Sequence, residues 1–166
     1  MTEAVLHADG HLVLEGRRYR AALGAGGVRA DKQEGDHATP AGLLALRRVL
    51  YRADRVPIPR AAVPREPIAA SDGWCDDPAH ADYNRQVHLP HPARVELLWR
   101  ADGLYDVVGV LGWNDAPVLR GRGSAIFLHV ARADFSPTEG CVALALEDLR
   151  AVLAAGVTAL RVLPSR

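Results

Sequence analysis

Two neighbouring segments decide how this sequence reads: Ser124-Ala-Ile-Phe-Leu-His129 and Ser136-Pro-Thr-Glu-Gly140-Cys141-Val142. The first is an apolar, β-rich run that predicts a strand from Ser124 to Val130 and carries His129 near its end. The second sets a thiol behind a glycine, just ahead of a helix predicted from Leu144 to Ala155. In that helix Leu146, Leu149, Val152 and Leu153 share one face, Glu147 and Asp148 fall in the first turn, and Gly156 stands at the C-terminal stop. On this reading Cys141 lies at a helix N-terminus, whose free N–H groups and positive dipole end favour a thiolate. Gly140 lets backbone approach a substrate closely, and the amides around Gly140-Cys141 can form an oxyanion hole. His129 can take the thiol proton and return it to a leaving amine. The same residues also fit a buried structural cysteine beside a hydrogen-bonded histidine, and their pattern alone does not choose.

Outward from this pair the chain reads as mainly β. Ala4 to Leu14 has two alternating runs around Asp9-Gly10, a two-residue hairpin signal. Arg94 to Trp99 and Leu104 to Leu111 flank Ala101-Asp102-Gly103 in the same way, and Val157 to Leu163 predicts a last strand. Leu43 to Tyr51 fits a helix or a strand. Gly24 to Gly42 reads as a loop, Val56 to Pro67 as extended or irregular, and Asp72 to Pro92 as a long irregular stretch. No repeats or low-complexity segments interrupt the chain, so residues 1–166 are expected to form a single domain.

The composition excludes several classes. A 49% hydrophobic and 24% charged sequence can build a core and is not a disordered tail. The formal net charge is zero, and 19 arginines are scattered beside the single Lys32, so no nucleic-acid partner is expected. No stretch reaches the roughly 18 apolar residues of a membrane span. The opening residues show neither a charged segment nor the apolar segment of a secretory signal, so the expected place is the cytoplasm, or the periplasm if this chain is a trimmed piece. Cys75 and Cys141 are then expected as free thiols.

Together these segments make the chain resemble the L,D-transpeptidase (YkuD) catalytic domain. Its signature is a histidine on a strand followed by Ser/Thr-His-Gly-Cys, to which His129, Thr138, Gly140 and Cys141 correspond. Upstream, Lys32-Gln-Glu-Gly-Asp-His-Ala-Thr-Pro-Ala-Gly42 is similar to the family's Gly…Thr-Pro-x-Gly segment, which leads into a strand and so favours a strand for Leu43 to Tyr51. Asp72-Gly-Trp-Cys-Asp-Asp-Pro78, Tyr83-Asn-Arg85 and Gly123 to His129 resemble a compact proteobacterial-type branch. The matches run from Gly24 to Leu153, in the family's order.

The resemblance implies a YkuD-like β-sandwich or barrel with one main helix after the nucleophile, and an acyl-enzyme mechanism. Cys141 attacks the bond between the third residue, usually diaminopimelate, and the terminal D-alanine of a peptidoglycan tetrapeptide stem. Water then yields a tripeptide, or an amine yields a 3–3 cross-link. The histidine is oriented by a backbone carbonyl, so neither Asp134 nor Glu139 is needed as a third member. The expected activity is an L,D-carboxypeptidase trimming recycled muropeptides, the alternative a periplasmic transpeptidase, and the alternative of another class a muropeptide-binding module without turnover. Carbapenems are expected to acylate Cys141 if the family chemistry holds, and no cofactor is implied.

Three departures stand out. Glu139 replaces the usual histidine and places a negative charge beside the nucleophile, Ala143 stands where Arg or Asn usually follows, and the spacing from His129 to Cys141 is short. Thr138, Glu139, Tyr83, Asn84, Arg85 and Arg122 are the candidate substrate-binding residues, the two arginines because a planar guanidinium suits a carboxylate. Cys75 reads as a semi-buried structural thiol. Asp76, Asp77, His80, His88 and His91 lack a recognised metal-ligand spacing and read as polar loop.

Overall fold

A computed structural model describes residues 1–165. In chain order its strands are β1 (Glu3–His7), β2 (His11–Leu14), β3 (Arg17–Ala22), β4 (Val28–Arg29), β5 (Thr39–Pro40), β6 (Gly42–Tyr51) and β7 (Arg65–Pro67). There follow β8 (Asp72–Cys75), β9 (Gln86–His88), β10 (Val95–Leu97), β11 (Val107–Gly112), β12 (Phe127–Val130) and β13 (Val142–Leu144), then helix α1 (Leu146–Ala154) and β14 (Ala159–Val162). Eight strands run in the order β11-β12-β13-β3-β2-β1-β14-β6, and β6 pairs back onto β11, closing a barrel. A small sheet of β10, β8 and β9 stands beside it.

The first hairpin forms with a three-residue turn: His7 pairs with His11, and Gly10 at φ 93° donates its N–H to the His7 carbonyl. A side chain is strained at that φ, which is why glycine stands there. Ala4, Leu6, Leu12 and Leu14 alternate inward from β1 and β2, as a half-buried ladder requires.

Leu43 to Tyr51 is a strand, and its ambiguous periodicity has a structural cause. Opposite β11 the register skips Arg47, a bulge that shifts the alternation from Leu44 and Leu46 to Val49.

The structure corrects three other expectations. The Ala101-Asp102-Gly103 turn does not close a hairpin: β10 pairs with β8, while β11 pairs with β6 and β12, so the turn carries the chain from one sheet to the other. Asp72 to Pro92 is not irregular throughout, because β8 and β9 form an antiparallel ladder within it. The helix starts at Leu146 rather than Leu144. Val142 to Leu144 are drawn into β13, parallel to β12, where all three side chains are buried.

Two apolar clusters flank β12 and β13. Leu128, Val142 and Leu144 face the larger one, with Leu149, Val152 and Leu153 of α1 packed on it. Phe127 and Cys141 face the other, with Trp74, Tyr105, Leu98 and Val108. Phe127 is boxed edge-on by Trp74, at 5.1 Å between centroids, and by Tyr105, at 5.8 Å. These contacts tie the small sheet to the barrel strand that carries His129.

Candidate active site

The register of β12 and β13 builds the site. Leu128 pairs with Val142 and His129 with Ala143. Side chains alternate across a strand, so Cys141 and Ala143 share the face of His129, opposite Leu128 and Val142. That face opens on a cleft of about 390 Å³ lined by Cys141, His129, Thr138, Glu139 and Ala143, with Glu96, Arg100 and Tyr105 opposite.

The His129 Nδ1 is 2.9 Å from the Val130 carbonyl, a contact that places the proton on Nδ1 and leaves the Nε2 lone pair free. Burial pushes the imidazole down to about 4, so it is neutral near pH 7. Cys141 Sγ donates to the Ala125 carbonyl at 3.2 Å and accepts the Phe127 N–H at 3.4 Å. Its pKa is pushed up to about 12, first by burial and then by the charge of Glu96, with Glu139 a lesser contributor. The resting pair is therefore thiol and neutral imidazole.

This reverses the expected helix-terminus effect. With β13 intervening, Cys141 lies more than a turn before α1, beyond the reach of the dipole. The oxyanion expectation also narrows. The Gly140 N–H donates to Thr138 Oγ1, whose hydroxyl donates to the Cys141 carbonyl at 2.6 Å, so the Cys141 N–H remains for a substrate oxygen.

The two distant motifs meet under this loop. Gly140 has φ 137°, and a Cβ there would lie 2.8 Å from the Ala38 carbonyl, so the upstream loop fits only against glycine. Thr138 accepts an N–H bond from Ala25 and donates one to Leu23, while Thr39 Oγ1 accepts the Gly24 N–H. Lys32, almost wholly buried, holds the loop's other end through Asp36 at 2.6 Å.

The sequence profile of the YkuD family, the L,D-transpeptidase catalytic domain, matches residues 2–158. The chain belongs to that family. No curated protein matches it. Among solved structures it is similar to L,D-transpeptidase 1 of Mycobacterium tuberculosis, at TM-score 0.41 and 11% identity over 97% of this chain and 60% of that one. It is also similar to the helical cell shape determining protein Pgp2 from Campylobacter jejuni, at TM-score 0.40 and 14% identity over 99% of this chain and 48% of that one. The chain thus spans about half to three-fifths of those structures.

In this YkuD domain the remaining candidates divide by place. Thr138 and Glu139 line the cleft, whereas Tyr83, Asn84, Arg85 and Arg122 do not. Tyr83 and Asn84 are buried and hold the wall from behind. The Tyr83 hydroxyl donates to Glu34 at 2.8 Å and accepts the Gly123 N–H. Asn84 Oδ1 accepts from Trp74 Nε1 and the Ala125 N–H, and its Nδ2 donates to the Trp113 and Asn114 carbonyls. Arg85 and Arg122 line separate surface hollows rather than this cleft. The cleft's own arginines are Arg100 and Arg132.

Glu96, Arg100 and Tyr105 escaped the sequence reading. The only signal was their clustering around the Ala101-Asp102-Gly103 turn, which predicted a hairpin instead. Of the polar-loop histidines, His80 and His91 converge with Asp82, their ligand atoms within 4.8 Å. Both rings accept a backbone N–H at Nδ1, from Asp82 and Ala93 respectively, which leaves each Nε2 protonated. His91 Nε2 lies 3.0 Å from the Asp82 carboxylate, so the three side chains are tied together by hydrogen bonds.

Proposed function

We propose that this protein is an L,D-carboxypeptidase that removes the terminal D-alanine from tetrapeptide stems of soluble murein fragments in the cytoplasm. One observation carries the reading: a neutral His129, fixed by Val130, shares the face of two adjacent strands with a protonated Cys141 at the floor of a cleft.

In the reaction His129 Nε2 takes the thiol proton as Sγ bonds to the carbonyl carbon between the third residue and D-alanine. The carbonyl electron pair moves onto oxygen, stabilised by the Cys141 N–H. As the oxyanion collapses, the C–N bond breaks and His129 returns the proton to the departing D-alanine amine. Water, deprotonated by the same nitrogen, then adds to the thioester, and the thiolate leaves and is reprotonated. Water is the acceptor on this reading, because it is the abundant one for a soluble fragment. Carbapenem acylation of Cys141 belongs to the same reading.

The test is to incubate the purified protein with disaccharide tetrapeptide, with and without an amine acceptor, and to follow products by mass spectrometry against Cys141→Ala. Release of D-alanine that the mutation abolishes is the expected result. Acceptor-dependent adducts would make the enzyme a cross-linking transpeptidase, and binding without turnover would make it a recognition module. Cell fractionation checks the compartment.

A further inference from the structure

Glu96 is the cleft carboxylate to which the reaction assigns no role. It lies in the middle of β10, paired with Trp74, and its side chain lines the cleft. Its Oε1 accepts the Tyr105 hydroxyl, and its Oε2 has no hydrogen-bond partner among the described residues. Burial raises its pKa, and the Tyr105 hydroxyl and the charge of Arg100 work against that rise.

The other charged groups around the cleft are already engaged or exposed. Arg100 holds Asp102 through both carboxylate oxygens, and Asp76 is held by Arg94. Glu34 accepts the hydroxyls of Tyr83 and Ser124, while Glu139 and Arg132 lie out at the surface. Glu96 is therefore the half-buried carboxylate that makes one direct hydrogen bond, to a neutral hydroxyl, while the Arg100 guanidinium is bonded to Asp102 and acts on it only through its charge. A desolvated anion of this kind gains most from a cation brought by a ligand.

Resting on the reading of this cleft as a stem-cleaving site, we propose that Glu96 is a specificity-determining residue that receives a primary ammonium group of the substrate. Diaminopimelate in a free stem carries such a group on its side chain. In a cross-linked stem the same nitrogen is an amide, uncharged and with a single N–H, so the enzyme selects stems that are not cross-linked. Pairing also cancels the charge that, after burial, most opposes ionisation of Cys141. Ammonium binding thus readies the nucleophile, while Glu139, Lys32 and Tyr105, which also face the thiol, stay as they are.

The test uses binding and thiol chemistry rather than turnover. Calorimetry on Cys141→Ala compares the tetrapeptide L-Ala-D-Glu-diaminopimelate-D-Ala with the same peptide acetylated on the side-chain amine. The free amine is expected to bind about tenfold tighter or more, as a charge-assisted hydrogen bond allows. Adding Glu96→Gln should bring the two affinities together, whereas a purely steric penalty from the acetyl group would survive that change. With Cys141 intact, Glu96→Gln should raise iodoacetamide alkylation at pH 8 by about tenfold, the effect of lowering a thiol pKa by one. If Glu96→Gln does not fold, Glu96→Asp, which draws the charge back by one methylene, should weaken the preference. Equal binding of the two peptides, or a preference that outlasts loss of the carboxylate, overturns the proposal. Selective binding without cleavage would instead overturn the carboxypeptidase reading and leave this one standing.

Discussion

The edge of Tyr105 lies against the ring of His129, with centroids 5.3 Å apart and planes at 74°. The same ring packs edge-on against Phe127, and its hydroxyl bonds to Glu96. One side chain thus braces the His129 ring from the side while the Val130 carbonyl fixes its proton. Tyr105→Ala should cost about 3–5 kcal/mol, the usual range for truncating a buried aromatic. Tyr105→Phe keeps the packing and should cost no more than about 1–3 kcal/mol for the lost hydroxyl partner. Thermal unfolding of the two variants checks the order, and equal losses would mean that the ring does not brace the site.

Stability should fall at both ends of the pH scale for identifiable reasons. His129 folds with its pKa lowered from 6.5 to about 4, so the unfolded chain binds the extra proton first. Stability is then unaffected above about pH 6.5 and declines as pH falls through 4, by about 3 kcal/mol. Cys141 folds with its pKa raised from 9.0 to about 12, so the unfolded chain loses the proton first. Stability declines as pH rises from about 9 towards 12, by about 4 kcal/mol. Denaturant titrations across pH should show the alkaline loss reduced in Cys141→Ala, and an unchanged slope would contradict a buried thiol.

The pair of buried Lys32 and half-buried Asp36 should be asymmetric to mutation. Burial opposes ionisation of Asp36, but Lys32 and the amides of Gln33 and Ala38 more than offset it, so its pKa is lowered. Asp36→Asn leaves the buried ammonium with the Gln33 carbonyl but no anion and should cost about 3–5 kcal/mol. Lys32→Met removes the cation instead and should cost less, because Asp36 keeps its two amide donors. Chemical denaturation of both variants settles the order.

Gly140→Ala should impair catalysis more than stability. The Cβ would meet the Ala38 carbonyl at 2.8 Å, and φ 137° is strained for any side chain. The expected cost is about 1–3 kcal/mol, released by shifting the Thr138–Cys141 loop. That shift moves the Cys141 N–H, so cleavage of tetrapeptide should drop by about tenfold or more, against a modest fall in melting temperature.

The sequence by itself determined the local elements and the order of the two motifs. Alternation along Ala4 to Leu14 reads as a hairpin because each strand's inward face is set by its own residues. The apolar stripe of Leu149, Val152 and Leu153 marks the helix for the same reason. His129 and Cys141 could be singled out because each sits in a short local segment, and the match over residues 2–158 bears out the family. Tertiary structure alone decided the rest. The bulge at Arg47 follows from pairing with β11, not from its neighbours in sequence. Leu144 fits the start of a helix locally, yet a parallel ladder with β12 and complete burial draw it with Val142 and Ala143 into a strand. Glu96 reaches the cleft from the small sheet and Tyr105 from the turn before β11, while Arg85 and Arg122 line other hollows. The protonation state of Cys141 depends on burial and on the charge of Glu96, which is distant along the chain. Backbone periodicity is a property of neighbouring residues, whereas desolvation and Coulomb interactions depend on distances that exist only after folding.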